Sequence, residues 1–175
     1  MDTCSSQSAL DVIMSRRSVR TFTDKEVSEA QVETLLRAAM AAPSAGNAQP
    51  GEFVVMRDKK LLAQVPAINP YAAFAPKASV GIVVCTDPNH EKFPGYWVED
   101  TSAATQNLLL AAHALGLGAV WTGVYPDKDR VSSFRSLIQA PERIIPMAFI
   151  LIGYPQNLPK PADRFLPERI HQNIW

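Results

Sequence analysis

Residues 103–115 constrain this chain more than any other stretch. They read as the body of a helix over 100–115, ended by Gly116. Apolar residues lie nearly all round it, with Gln106, Asn107 and His113 as the main exceptions. A helix without a polar face must be covered on several sides. At 175 residues the chain reads as one domain, 1–175, with room for a core. In a domain of that size a subunit interface is the natural place to bury the surplus of such a helix. His113 then reads as a satisfied core or interface histidine, not a catalytic one.

The remaining elements follow from local patterns. Leu10, Ile13 and Met14 recur at helical spacing over 8–14. Ser28-Glu29-Ala30-Gln31 is a capping box, and Val32, Leu35, Leu36, Ala39 and Met40 form one apolar stripe behind it. Pro43 ends that helix. Residues 59–65 read as a short helix, and Asp127 opens another that carries Val131, Phe134, Leu137 and Ile138. Strands are expected over 52–56, 80–85, 119–122 and 144–152, the last despite Pro146. Strands and helices mixed in this way give an α+β domain. The tail 154–175 holds four prolines and little periodicity, a composition suited to wrapping a partner subunit.

Charge and composition exclude several functions. Lys+Arg and Asp+Glu number 17 each, so the chain lacks the basic excess of a nucleic-acid-coating protein. A small anionic ligand needs only local charge. Cys4 and Cys85 form no CxxC, and Cys85 closes the apolar run 80–85, so it reads as a buried core thiol. Three histidines and two cysteines, all scattered, make no metal set. No leader and no apolar run of spanning length is visible, so the expectation is a soluble protein of a reducing, cytoplasmic compartment, with no membrane partner. GxSxG and GxxxxGK are absent, and Gly116-Leu117-Gly118 ends a helix instead of starting one. Nothing resembles an acid/base or nucleophile constellation. If the chain is an enzyme, a cofactor carries the reaction and no side chain is assigned as catalytic.

Two segments look built for a ligand. Arg16-Arg17-Ser18-Val19-Arg20 places three guanidiniums and a hydroxyl within five residues, with Val19 anchored inward. Arginine grips phosphate bidentately, and serine adds a neutral donor. Read alone, the segment is a solvated basic turn. Ala42-Pro43-Ser44-Ala45-Gly46-Asn47-Ala48-Gln49-Pro50 joins a helix to a strand. Its small residues let backbone approach a flat ligand, and Ser44, Asn47 and Gln49 offer donors and acceptors. Read alone, it is a polar loop.

Together with Thr105-Gln106-Asn107-Leu108-Leu109-Leu110-Ala111-Ala112, Leu115-Gly116-Leu117-Gly118, Trp121-Thr122-Gly123, Gly153-Tyr154-Pro155 and the span from Lys160-Pro161 to Arg164-Phe165, these segments resemble the flavin-dependent nitroreductases in their short form. Each is weak alone; their order and spacing are specific. The resemblance implies an α+β fold with a sheet of four to five strands flanked by helices. It also implies an obligate homodimer with a buried central helix and one FMN at each end of the interface. Arg16 and Ser18, with Arg17 beside them, match phosphate and ribityl ligands, and Arg20 matches the cation at the N1/C2 edge of the ring. Pro43, Ser44, Ala45, Asn47 and Gln49 match the partner subunit's side of the same flavin. Trp121, Thr122 and Gly123 match the strand end behind the ring, and Lys160 and Arg164 the late basic pair at the phosphate. Asn69 drifts in spacing from the family's ring-edge amide and is left out. Longer members roof the pocket with an insertion; here only 66–76 and 90–97, with Phe93, Tyr96 and Trp97, are available for that.

The implied function is an FMN oxidoreductase. It would take hydride from NADH or NADPH and reduce a flat small-molecule acceptor, a nitroaromatic or quinone, by a ping-pong mechanism. The rivals are a non-catalytic FMN-binding protein for storage or sensing, and a dimeric interaction domain without ligand.

Overall fold

A computed structural model describes residues 8–175, so Cys4 lies outside the described residues. Six α-helices and four strands alternate along them: α1 (Ala9–Ser15), α2 (Glu29–Met40), β1 (Gly51–Met56), α3 (Lys59–Leu62), α4 (Val65–Ile68), β2 (Val80–Thr86), α5 (Trp97–Ala114), β3 (Gly118–Gly123), α6 (Lys128–Leu137) and β4 (Ile145–Gly153). The strands form one antiparallel sheet in the order β1-β2-β4-β3. This is the α+β architecture the residue patterns predict.

The two middle strands are apolar and buried because helices cover both faces. On one face Val32, Leu35 and Ala39 of α2 and Ala104, Leu108 and Ala112 of α5 pack on Val80, Ile82, Val84, Ile150 and Ile152. On the other, Leu62, Val65 and Phe134 pack on Val83, Cys85, Phe149 and Leu151. Strand side chains alternate between faces, so a strand covered on both sides reads as a continuous apolar run. Pro146 fits β4 because it sits beyond the end of the β3 pairing, which stops at Ala148, and beside a bulge opposite Val84 and Cys85.

Two boundaries differ from the sequence reading. The helix expected over 59–65 is two short helices, because Pro66 brings no N–H to continue the first. The central helix starts at Trp97, three residues before Asp100, because Glu91 Oε1 accepts the Trp97 N–H at 3.0 Å. Of its polar exceptions Gln106 is exposed and the other two are fasteners. Asn107 donates to Ala38 O of α2 at 3.1 Å, and His113 Nε2 lies 2.8 Å from Ser15 Oγ of α1. Leu110, Ala111 and Ala103 remain only half-buried. The Gly116 N–H to His113 O and Leu117 N–H to Ala112 O bonds close the helix and send the chain straight into β3. After Gln156 the tail is exposed throughout, and no helix of the described residues is long and apolar enough to cross a membrane.

Candidate cofactor site

The basic segment is held by the start of β3. Ser18 bridges Ala119 in parallel, and the Val19 N–H donates to Ala119 O at 3.0 Å. Val19 is 2% exposed, the inward anchor that the sequence predicts. A Cβ at Gly118 would stand 2.8 Å from Val19 Cβ, so the two backbones approach this closely only with glycine there. Arg16, Arg17 and Ser18 are half-buried and Arg20 is exposed.

The charges of this region are unbalanced. Burial, then the neighbouring Arg164 and Arg17 guanidiniums, hold Arg16 below its ordinary value. Arg164 of the tail therefore stands within electrostatic reach of Arg16. Burial and the Arg16 charge likewise push His113 down. Among the described residues, no ion pair engages Arg16, Arg17, Arg20, Lys160 or Arg164. Lys160 is exposed, four residues before Arg164. Leu158 of the same tail joins His113, Ala114, Gly116 and Leu117 around a cavity of about 210 Å³. A guanidinium cluster in which Arg16 is disfavoured by its neighbours, with no carboxylate paired to it among the described residues, suits a phosphate, which accepts several charge-assisted hydrogen bonds at once.

The second segment lies at the other end of α5. Ser44 Oγ accepts the Gln49 N–H at 2.9 Å, Asp100 Oδ1 accepts the Ala45 N–H at 2.8 Å, and Lys92 Nζ donates to Gly46 O at 2.6 Å. Three residues of this loop are left-handed: Gly46 at φ 59°, Asn47 at 55° and Gln49 at 52°. Pro43, Ser44 and Gln49 line a cavity of about 280 Å³ with Met40, Phe53 and Asp100. Asp100 and His113 are thirteen helical steps apart, about 20 Å at 1.5 Å per residue. One chain therefore brings Arg16, Arg17, Ser18 and Arg164 together but does not bring Pro43, Ser44, Ala45, Asn47 and Gln49 to them.

The end of β3 is tied into the fold. Trp121 is half-buried opposite Ile150, the buried Thr122 hydroxyl donates to Phe149 O at 2.8 Å, and Gly123 is exposed. Asn69 is fully buried; it accepts the Tyr71 N–H and donates to Gly123 O at 3.2 Å, so its amide braces this strand end. Sequence reasoning missed Lys92 and Asp100. Their partners are 46 and 55 residues away, and no local pattern marks them.

Comparison with known proteins adds independent findings. A profile described as the nitroreductase family matches residues 13–81 and 63–154. A protein of Methanothermobacter thermautotrophicus, provisionally named an NADH dehydrogenase/NAD(P)H nitroreductase, is 48% identical over 171 residues, 98% of this chain and 90% of its own. A crystal structure from Parabacteroides distasonis under the same provisional name superposes with a TM-score of 0.93 at 39% identity, covering 97% of this chain and 99% of that one. A provisionally named nitroreductase from Desulfovibrio desulfuricans, solved in complex with FMN, has a TM-score of 0.82 at 33% identity, with 97% and 98% covered.

Proposed function

The chain belongs to the nitroreductase family, and from that premise we propose that it is an NAD(P)H-dependent FMN oxidoreductase working as a homodimer on flat small-molecule acceptors such as nitroaromatics and quinones. The observation that carries the reading is the cluster of Arg16, Arg17 and Arg164, which has no anionic partner among the described residues. It would hold the FMN phosphate, with Ser18 as a neutral donor. When bound, FMN supplies the redox chemistry, accepting hydride from the nicotinamide and passing electrons to the acceptor. Arg20 would put a fixed charge at the ring edge where negative charge develops. The loop 43–49 would come from the partner, as the resemblance implies; in its own chain it is fastened to the end of α5 remote from the cluster, about 20 Å away by helix rise. A partner's loop completing each site makes the dimer the active form.

Trp121, Thr122 and Gly123 would back one side of the ring, which leaves a single side for nucleotide and acceptor. The two substrates then bind in turn, and binding geometry supplies most of the rate. Anaerobic titration of the yellow protein with NADH and with NADPH is the direct test. Bleaching followed by turnover with an acceptor supports an enzyme; bound FMN that neither nucleotide reduces would mean a storage or sensing protein. Steady-state kinetics test the alternation. Double-reciprocal plots at several acceptor concentrations should be parallel, and lines converging left of the axis would require a ternary complex.

A further inference from the structure

The buried carboxylate of Asp100 is unexplained by the fold. The residue is 8% exposed, and only one of its oxygens has a hydrogen-bond partner: Oδ1 accepts the Ala45 N–H, while buried Oδ2 has none. Asp100 also lines the 280 Å³ cavity that Ser44 and Gln49 share. Burying a carboxylate with one oxygen unsatisfied is costly, so the bond from the Ala45 N–H to the other oxygen has to offset it.

The loop that Asp100 grips is itself unfavourable. Asn47 and Gln49 adopt left-handed backbone without being glycine, and Gly46 completes the set. Such conformations persist only where the surroundings over-determine them. Within the loop the Ser44–Gln49 bond and the Asn47 N–H to Ser44 O and Ala48 N–H to Ala45 O bonds set the turn, and from outside it Asp100 holds the Ala45 N–H, Lys92 holds Gly46 O and Phe93 packs against Gly46. At Gly46 a Cβ would come within 2.8 Å of the Phe93 ring. A charged acceptor makes a stronger bond to an N–H than a neutral one.

We infer that Asp100 is a positioning residue: its carboxylate fastens the strained loop in the shape that receives flavin, with Lys92 as the second fastener. The inference rests on the FMN reading above and adds to it a residue outside the loop itself. Asp100 acts from the end of α5 remote from the phosphate cluster, so its effect falls on ring and loop, not on the phosphate.

Apo-protein of the wild type, Asp100→Ala, Asp100→Asn and Lys92→Met is titrated with FMN and with riboflavin by fluorescence quenching, and amide exchange over 44–49 is followed by mass spectrometry. Asp100→Ala should weaken both flavins at least tenfold, leave their ratio within twofold of wild type, and speed exchange across the loop. Asp100→Asn keeps an acceptor oxygen for the Ala45 N–H and should stay within threefold of wild type. Lys92→Met should weaken both flavins three- to tenfold, and it decides the matter if Asp100→Ala does not fold. Wild-type affinity in Asp100→Ala or Lys92→Met overturns the inference, as does Asp100→Asn failing as badly as Asp100→Ala. A wild type that takes no flavin sinks the FMN reading itself, an outcome distinct from variants that bind as wild type does.

Discussion

Arg164 and Arg16 come from opposite ends of the sequence, and the Arg164 charge adds to burial in disfavouring the Arg16 charge, which an anion between them would relieve. Arg164→Ala should therefore cost FMN much more than riboflavin. Losing one charge-assisted hydrogen bond costs roughly 1.5–3 kcal/mol, on the order of ten- to a hundredfold in affinity. Paired fluorescence titrations of the two flavins measure the difference, and equal weakening of both would remove the phosphate role. His113 gives the same region a pH signature. Burial, then Arg16, places its folded value below the ordinary imidazole value of about 6.5. The folded state thus resists a proton that the unfolded chain accepts. The stability from this group is present in full above about pH 6.5 and is lost as pH falls from there towards the folded value. Thermal melting of the apo-protein should fall on acidification from pH 7 to 5, with a shallower slope in His113→Gln. A phosphate ligand beside Arg16 should flatten the wild-type slope as well, because a nearby anion favours the charged imidazole.

Local interactions are the elements' legible part. The capping box at α2 forms as its four residues predict, with the Gln31 N–H donating to Ser28 Oγ at 3.2 Å and the Ser28 N–H to Gln31 Oε1 at 3.0 Å. The run 80–85 became a strand buried on both faces, with Cys85 inside it and its thiol pushed up to about 12 by burial. Interactions across long sequence distance were not legible. The early start of α5 depends on Glu91 folding back, and the loop after α2 depends on Asp100 and Lys92 arriving beside it. The division of the expected 59–65 helix follows from Pro66 just beyond it, which lacks the N–H that would bond back to the first short helix. The tail has its own logic. It pairs with the body through the Thr23–Tyr154 and Gln156–Thr21 backbone bonds, after which Phe165, Ile174 and Trp175 stand exposed, Trp175 at 98%. Large apolar side chains in that state call for a second surface. A chain ending at Tyr154 should lose both dimer and FMN, since Arg164 leaves with the tail; light scattering and flavin content read the two losses. A truncated dimer that still binds FMN would contradict the wrapping role.

At the scale of the molecule, the distance along α5 decides the architecture. Its C-terminal end carries the Arg16 cluster and its N-terminal end carries the loop 43–49, about 20 Å away by helix rise. We propose that a site needing both draws them from two chains related by a two-fold axis, which gives two equal sites. The half-buried Leu110 and Ala111 flank offers the surface for it. Subunit mixing tests this directly. One variant, Arg16→Ala with Arg164→Ala, loses the phosphate cluster; the other, Asn47→Ala with Gln49→Ala, loses the loop contacts. Each homodimer should bind FMN poorly. In the mixed dimer, one site pairs the intact cluster of the second chain with the intact loop of the first, while the other site carries both defects. Random reassortment gives about half mixed dimers, so about a quarter of native FMN capacity should return. If each chain built its own site, mixing would restore nothing, because every site would keep the defect of its chain.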